Sequence, residues 1–321
     1  MATGGTSTFQ HLEAYVTELG DARVKLTITG AGEFSASVTR LKLNHLQIFR
    51  CCEKLSRIAF VTLPPGRIFL SFPIGPQSPI FGNLALRNRE FLLHGIAERV
   101  HQRSSGACKW GMIALSFERL AKCSKMLTGR IIAPSSVSRV LRPGRAEAYV
   151  VHTLFRQACR FAENPGFIEH SEVARKLEQE MSYAIVQCIA AAEAVDPRSN
   201  SRQQHTAVMA RFEDILIKHF DEKIGIPELC AELGVPDRTF RACCAEHLGI
   251  SPARYMLLLR LNRVRAILQR ANPRTARVSE VALKHQFKEL GRFSVTYRTI
   301  FGESPSVTLQ RNRDVELAEG A

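Results

Sequence analysis

Two stretches near the C-terminus of this 321-residue chain follow one pattern: residues 226–252 read IPELCAELGVPDRTFRACCAEHLGISP, and residues 278–305 read VSEVALKHQFKELGRFSVTYRTIFGESP. The first half of the pattern recurs at an offset of 52 and the second half at an offset of 53, because one residue is inserted in between. The matched pairs are Ile226/Val278, Leu229/Val281, Cys230/Ala282, Val235/Phe287, Phe240/Phe293, Cys244/Tyr297, Leu248/Phe301, Gly249/Gly302, Ser251/Ser304 and Pro252/Pro305. Such a repeat predicts one supersecondary unit used twice.

Each copy predicts a helix-turn-helix unit. A short helix with apolar residues at i, i+3 and i+4 is followed by a turn and by a longer helix that ends at a glycine. In the first copy, Pro227 suits the first helical turn, Gly234 makes the turn, and Val235 fills the corner between the helices. The longer helix, at about 237–248, buries its Phe and Cys side chains. Its outer face then carries Arg238, Thr239, Arg241 and Ala242.

Residues 252–268, between the two copies, predict a third helix. Its apolar side, which includes Leu258, Leu261 and Val264, can pack against both units. About 17 helical residues span roughly 25 Å at ~1.5 Å per residue. The helix can therefore hold two recognition helices apart by nearly one DNA turn of ~34 Å.

The positive charge of the chain is concentrated in the same region. Lys and Arg number 44 against 30 Asp and Glu, which gives a net charge of +14, and residues 254–298 carry eleven basic residues against Glu280 and Glu289. A strong basic excess favours a polyanionic partner: DNA, RNA or an acidic membrane surface. The location of the charge assigns that partner to the repeated module.

Four segments of this module resemble the AraC/XylS family of transcription regulators: LGISPARY at 248–255, RLNR at 260–263, VSEVA at 278–282 and FGESP at 301–305. The resemblance covers residues 210 to 310. It implies two helix-turn-helix units joined by one long helix, each with its second helix in the major groove of DNA. It also implies that the N-terminal domain, often a cupin-like β barrel, binds an effector or mediates dimerisation.

Two positions depart from the family pattern. Gln286 precedes Phe287 where the family commonly has glycine, and Ala242 stands where the family often has arginine. A base contact expected at 242 is therefore missing. Arg238 and Arg241 can each donate two hydrogen bonds to guanine, although an exposed helix face that contacts only phosphate is the alternative.

In the second unit, Arg292 is the one long donor among the outward residues, while Gly291 and Val295 offer shape or contact with a thymine methyl group. Basic residues around the units are expected to hold phosphate, which positions the protein without specifying sequence. The predicted DNA-contacting residues are Arg238, Thr239, Arg241, Ala242, Arg260, Arg263, Lys288, Gly291, Arg292, Ser294, Val295 and Arg298.

The N-terminal half predicts an α+β arrangement. Residues 22–115 alternate short apolar and polar runs with turn signals, which favours a small antiparallel sandwich or barrel, and two helices follow. We expect an effector-sensing or dimerisation domain over 1–195, a linker over 196–204, an all-α DNA-binding domain over 205–311, and a tail over 312–321.

The second of those helices, at about 172–194, has small and apolar residues at alternating spacings of three and four. They are Ala174, Leu177, Met181, Ala184, Cys188 and Ala191. This spacing is typical of a coiled-coil seam, but it covers less than three heptads. Packing against the β domain is the favoured interpretation, and a homodimer interface is the alternative.

Enzyme chemistry has no support in the sequence. His94 and His101 are seven residues apart with no His-x-His pair for a metal cupin, no G-x-S-x-G elbow occurs, and the first cysteine, Cys51, comes too late for a sacrificial thiolate cluster. Nine cysteines without a C-x-x-C pair indicate a reducing compartment and no zinc site, and redox sensing by Cys51, Cys52 or Cys108 is an alternative use. We expect no metal and no cofactor.

The sequence therefore predicts a cytoplasmic, sequence-specific transcription regulator that binds double-stranded DNA and responds to an effector. If it is an activator, RNA polymerase is a partner, whereas a membrane is not. The alternative is a ligand-independent architectural DNA-binding protein whose N-terminal domain only dimerises. A barrel interior offers an effector pocket lined by Phe69, Phe72, His94 and Trp110.

Overall fold

The fold is described from a computed structural model, which covers residues 2–164, 166, 171–195, 200–219 and 224–311. The chain divides into two compact units. The N-terminal unit comprises Met1–Leu26, Phe34–Lys54 and Ala59–Gln203, and the C-terminal unit comprises Thr27–Glu33, Leu55–Ile58 and Gln204–Ala321. The expected class, a β-rich N-terminal domain with helices followed by an all-α double helix-turn-helix domain, is confirmed.

The strands of the described residues form two sheets, one of eight strands and one of four. The large sheet has the order β1-β3-β4-β10-β6-β8-β11-β12, and the small sheet has the order β2-β5-β9-β7. The strands are β1 Thr3–Phe9, β2 Arg23–Ile28, β3 Ala36–Lys42, β4 Leu46–Glu53, β5 Arg57–Thr62, β6 Arg67–Pro73, β7 Ile80–Phe81, β8 Phe91–Leu93, β9 Arg99–Ser104, β10 Cys108–Ser116, β11 Arg139–Arg142 and β12 Glu193–Val195.

Antiparallel pairing sets which residues of the large sheet meet. Phe9 lies opposite Ala36, Ala36 opposite Glu53, and Glu53 opposite Cys108. The strands β1, β3, β4 and β10 therefore have their termini at the same end of the sheet. The strand β1 is paired with β3 along its whole length. That pairing shields one edge of β3, where unpaired backbone groups would otherwise be exposed.

Among its described residues, the N-terminal unit also has four helices: α1 Leu12–Glu18, α2 Phe117–Thr128, α3 Arg145–Glu163 and α4 Ser171–Ala191. On α3, Val151, Phe155 and Ala158 are buried against the large sheet, as their spacing predicts. The helix α4 stops at Ala191, not at the expected 194, because Glu193–Val195 pairs with β11 instead.

The seam on α4 is core. Leu177, Met181, Ala184 and Cys188 are buried in the same cluster as α2, α3 and the sheet, and Ala174 packs against it. Five of the six seam side chains are thus covered within one chain, while Ala191 at the end of the helix is exposed. The seam is therefore not a dimer interface, and the favoured interpretation is confirmed.

In the part of the C-terminal unit that the structure describes, there are six helices: α5 Asn200–Lys218, α6 Ile226–Leu233, α7 Asp237–Leu248, α8 Pro252–Arg270, α9 Val278–Lys284 and α10 Leu290–Phe301. The helix α5 begins at Asn200, so the expected linker at 196–204 is partly helical, while residues 196–199 and the expected tail at 312–321 lie outside the described residues. Phe212 of α5 packs on Phe240 of α7, with ring centroids 4.9 Å apart. Its apolar face makes α5 part of this unit's core.

Within the described residues, no helix is both long enough and apolar enough to cross a lipid bilayer.

Candidate nucleic-acid interface

The two helix-turn-helix units share their backbone hydrogen bonds as well as their sequence pattern. In the first turn, Val235 N–H donates to Cys230 C=O at 3.1 Å, and in the second, Phe287 N–H donates to Ala282 C=O at 3.0 Å. At the end of each recognition helix, a glycine in the left-handed region, Gly249 or Gly302, closes the last turn. The chain therefore forms the same turn twice.

The departure at Gln286 falls on the strained position of that turn. Gly234 has φ 67° in the first unit, and Gln286, its equivalent in the second, has φ 65°. Side chains with a Cβ rarely adopt this region because Cβ approaches the following carbonyl oxygen. The second turn is formed at a conformational cost that the first does not have.

The recognition helix α7 has one buried and one exposed face. Phe240, Cys243 and Cys244 are fully buried, while Arg238, Arg241 and Ala242 are exposed and Thr239 is half-buried. Burial raises the pKa of Cys243 to about 11 and that of Cys244 further, which keeps both thiols protonated. The four predicted contact residues therefore lie on or beside one outward surface.

On this surface Arg241 has a partner one turn earlier. Its Nε donates to Oδ2 of Asp237 at 2.8 Å, and each side chain is 53% exposed. The hydrogen bond to this carboxylate and its charge raise the pKa of Arg241. At the equivalent positions of α10 stand Leu290 and Ser294, so the pair belongs to the first unit alone.

The recognition helix α10 is less polar on its outer face. Gly291, Arg292, Ser294 and Arg298 are exposed, and Val295 is 69% exposed. A Cβ added at Gly291 would meet no atom within 4 Å, so this position presents open backbone. The exposed face named here therefore carries one apolar side chain, Val295, between Arg292 and Arg298.

The linker helix α8 presents its cations differently from the prediction. Its apolar residues Leu258, Leu261 and Val264 are buried as expected. The guanidinium of Arg260, however, lies 5.1 Å from the ring centre of Phe287, where it can make a cation–π contact. The side chain is partly buried there, and this burial lowers the pKa of Arg260. Arg263 is half-exposed.

Arg260 also lines a cleft of about 670 Å³ between α8, the second turn and α10. The basic residues Arg254, Lys288 and Arg292 line the same cleft, against one acidic residue, Glu289. Arg254 is not among the DNA-contacting residues predicted from the sequence.

A buried polar network that the sequence analysis missed fixes α10 to the end of the domain. Arg265 donates to Glu303 at 3.3 Å, and the Tyr297 hydroxyl donates to Thr308 Oγ1 at 2.9 Å. Thr308 in turn donates to Glu303 at 2.9 Å. Each residue is polar and separately unremarkable in sequence, so only the folded arrangement brings them together.

The expected effector pocket is divided between two faces of the large sheet. Phe72 packs on Phe155 of α3, with ring centroids 4.9 Å apart, whereas Trp110 lies opposite Pro73 and so shares the other face. Phe69 lies on that other face by strand alternation, as does Ser71, which bonds His94. The four residues therefore do not line one space, and Phe72 is removed from the set.

His94 is held inside the protein by polar neighbours. Its Nε2 lies 2.9 Å from Ser71 Oγ, its Nδ1 lies 2.8 Å from Glu98 Oε2, and Glu98 also accepts from Ser138. This arrangement is that of a satisfied core histidine. Among the described residues, no group of three His, Cys, Asp or Glu side chains is placed to hold a metal ion.

An open cavity of about 720 Å³ lies instead at the edge where β1, β3, β4 and β10 end. Its polar lining includes Ser37, Cys52, Lys54, Gln77 and Lys109. The carboxylate of Glu53, at the same end of the sheet, accepts hydrogen bonds from the Tyr15 hydroxyl at 2.5 Å and from Cys108 Sγ at 3.1 Å.

Comparison with known proteins concerns the C-terminal unit. The sequence pattern of a helix-turn-helix domain family matches residues 229–311. The XylDLEGF operon transcriptional activator 2 of Pseudomonas putida is 37% identical over 103 residues, which are 32% of this chain and 66% of that protein. A solved structure described as a probable AraC family transcriptional regulator from Rhodopseudomonas palustris CGA009 is 31% identical and aligns with 36% of this chain and 98% of that one, with a TM-score of 0.27.

The C-terminal unit is a helix-turn-helix domain of the AraC/XylS type of transcription regulators. The probable thc operon regulatory protein of Rhodococcus erythropolis is a further relative, 31% identical over 97 residues, 30% of this chain and 29% of that protein. The chain thus matches less than a third of that relative's length, and the shared part is the DNA-binding domain. The likeness to the AraC/XylS family rests on this domain.

Proposed function

We propose that this protein is a sequence-specific transcription regulator of the AraC/XylS family whose recognition helices α7 and α10 enter two successive major grooves of double-stranded DNA. The observation that carries the proposal is the repeated unit on a continuous helix, with exposed arginines on both recognition helices. The helix α8 has 19 residues and so extends about 28 Å at ~1.5 Å per residue. That length suits two half-sites about one DNA turn apart.

The chemistry of the two outer faces differs, and so does what each is expected to recognise. Arg238 and Arg241 suit guanine O6 and N7, whereas Val295 suits the methyl group of thymine. Lys288, Arg260, Arg263 and Arg298 suit backbone phosphates, which position the protein. The first unit therefore supplies most of the base discrimination.

Selection of a preferred site from random double-stranded DNA by the full-length protein tests this proposal. Binding of that site is then measured for Arg241→Ala, with Arg175→Ala as a matched control because Arg175 is an exposed arginine on α4 of the other unit. We expect Arg241→Ala to weaken the preferred site by about 1–3 kcal/mol and Arg175→Ala to leave it unchanged. A full-length protein that prefers no sequence would contradict the proposal.

We also propose that the N-terminal unit responds to a small-molecule effector, which favours regulation over a purely architectural role. The cavity at the strand ends supports this, because its volume of about 720 Å³ is within the ~300–1,000 Å³ usual for ligand sites. The names of the Pseudomonas relatives describe transcriptional activators. If this chain also activates transcription, RNA polymerase is its partner.

The single tryptophan makes the effector proposal measurable. Trp110 lies two residues after Cys108 on β10, so the two side chains share one face of the strand, and Cys108 lines the cavity; an occupied cavity should therefore change the fluorescence of Trp110. Candidate compounds are titrated against the full chain, against Cys52→Phe, which obstructs the cavity, and against Ser171→Phe, an exposed control on α4. A compound that alters both fluorescence and DNA affinity in all but Cys52→Phe supports the proposal. DNA affinity that no compound changes favours the architectural alternative.

A further inference from the structure

We propose that Asp237 is a positioning residue for base recognition: its carboxylate holds the Nε of Arg241 so that the terminal Nη edge of the guanidinium is presented to a guanine. The inference rests on the proposed function. It adds a residue that contacts no base but determines how sharply the first unit discriminates between bases.

The geometry of the pair supports this role. Asp237 is the first residue of α7 and Arg241 lies one turn later on the same face, at the i,i+4 spacing. The described hydrogen bond uses only Nε, at 2.8 Å. A guanidinium carries five N–H donors in a rigid fork, so the two terminal nitrogens keep the parallel donors that match guanine O6 and N7.

Restraint of the side chain explains how the pair would sharpen recognition. A free arginine samples many rotamers and loses that freedom when it binds. It also reaches a phosphate as readily as a base. An arginine held by a carboxylate has already lost part of its freedom, and the neighbouring negative charge disfavours the approach of a phosphate.

Loss of the Asp237 carboxylate should therefore have opposite effects on affinity for random DNA and on discrimination between bases. Removal of the Asp237 charge takes a negative group off a DNA-facing surface, so affinity for random DNA should rise. The same change releases Arg241, so discrimination at one guanine should fall. A carboxylate that acted only through its charge would change affinity for all sequences by one factor and leave their ratio as it was.

The test measures binding by the full-length protein of the preferred site, of that site with each single base replaced, and of random DNA. The variants are Asp237→Asn, Arg241→Lys and both together. The matched control is Glu280→Gln, which removes an exposed carboxylate from the first turn of α9, where it lies 3.9 Å from Arg277. Asp237→Asn keeps the size of the side chain, and far-UV circular dichroism checks that α7 is intact.

For Asp237→Asn we expect discrimination at one guanine to fall about twofold to tenfold while affinity for random DNA rises. Arg241→Lys keeps the charge but loses the bidentate fork, and in its background Asp237→Asn should change discrimination no further. Glu280→Gln should leave the preferred sequence unchanged.

Unchanged discrimination in Asp237→Asn overturns the inference, as does an equal loss of affinity for every sequence. The inference is also overturned if Asp237→Asn loses discrimination at a cytosine and not at a guanine, because Asp237 would then contact a base itself. These failures are distinct from failure of the proposed function, in which the unaltered protein already binds all sequences alike.

Discussion

Gln286 is the residue at which local conformation and amino-acid type disagree most clearly. Its φ of 65° is one that glycine adopts freely, and Gly234 occupies the same place in the first unit with φ 67°. We expect Gln286→Gly to stabilise the C-terminal unit by about 0.5–1 kcal/mol, since relief of ~1–2 kcal/mol of strain exceeds the added entropy of the unfolded chain.

The matched control is Gly234→Ala, which should destabilise the unit by about 1 kcal/mol. A Cβ there would meet only the end of the Arg211 side chain, at 3.8 Å, so the cost is conformational. Urea unfolding followed at 222 nm reports on the helices, while Trp110 fluorescence separately reports on the N-terminal unit. Equal effects of opposite sign at the two positions would show that both turns need the same backbone. A destabilised Gln286→Gly would contradict the prediction.

The cysteines should differ in reactivity according to burial. Burial raises the pKa of Cys159 and of Cys188 to about 12 and that of Cys243 to about 11, so at pH 8 almost none of these thiols is ionised. Cys52 is half-exposed and lines the cavity. Alkylation of the folded protein at pH 8, mapped by mass spectrometry, should modify Cys52 well before those three. Early modification of Cys243 would show that α7 opens locally.

At the scale of elements, α4 carries the clearest prediction. Met181 is fully buried in the cluster shared by α2, α3 and the large sheet, so Met181→Ala should cost about 2–5 kcal/mol in the unfolding of the N-terminal unit. Its effect on molecular mass in solution should be nil, because the seam is already covered within the chain. Sedimentation of the variant measures this, and a shift from dimer to monomer would contradict it.

The elements of the C-terminal unit could be predicted because each is specified by local signals. The repeat, the helix-ending glycines and the 3.6-residue spacing together fix α6 to α10 and their outer faces. The pair Asp237 and Arg241 was also visible as an i,i+4 spacing. The helix α5 was not predicted, because its first residues lie in a polar segment that resembles a linker.

The N-terminal elements depend on partners distant in sequence. The strand β1 is rich in Thr, Gly and Ser and has no apolar alternation, and it is a strand because its backbone pairs with β3. Likewise, the separation of Phe72 from Trp110 depends on the register of β6 against β10, which no local pattern reveals. Site residues on helices were therefore placed better than site residues on strands.

At the scale of the whole molecule, the concentration of charge predicts a strong dependence of DNA binding on salt. About five phosphate contacts, from Arg260, Arg263, Lys288, Arg292 and Arg298, should give a slope of log K against log salt near −4 to −5. Fluorescence anisotropy at a series of potassium chloride concentrations measures it. Lys288→Gln should reduce the slope by about one, and a wild-type slope near zero would contradict the proposed surface.

The division into two units predicts how function separates when the chain is cut. Residues 200–311 contain the whole of α5 and both helix-turn-helix units, and α5 packs into the core of the first unit, so this fragment should fold alone and still bind the preferred site. It should lose any response to effector and, if the full chain dimerises, the ~10²-fold gain on paired sites. Titration of fragment and full chain on single and tandem sites measures this. A folded fragment that fails to bind DNA would contradict it.

The helix α8 serves as the closing element of the first unit and as the support of the second, with no glycine or internal proline at which to bend. Two recognition helices fixed to such a rod cannot rotate about the DNA axis to follow a displaced half-site. If α7 and α10 enter successive major grooves as proposed, the protein sets the rotational phase of the two half-sites. About five base pairs inserted between the half-sites should then turn the second groove to the far side of the duplex, out of reach of α10. Such a regulator would tolerate changes in the identity of the base pairs between the half-sites but not changes in the number of those base pairs.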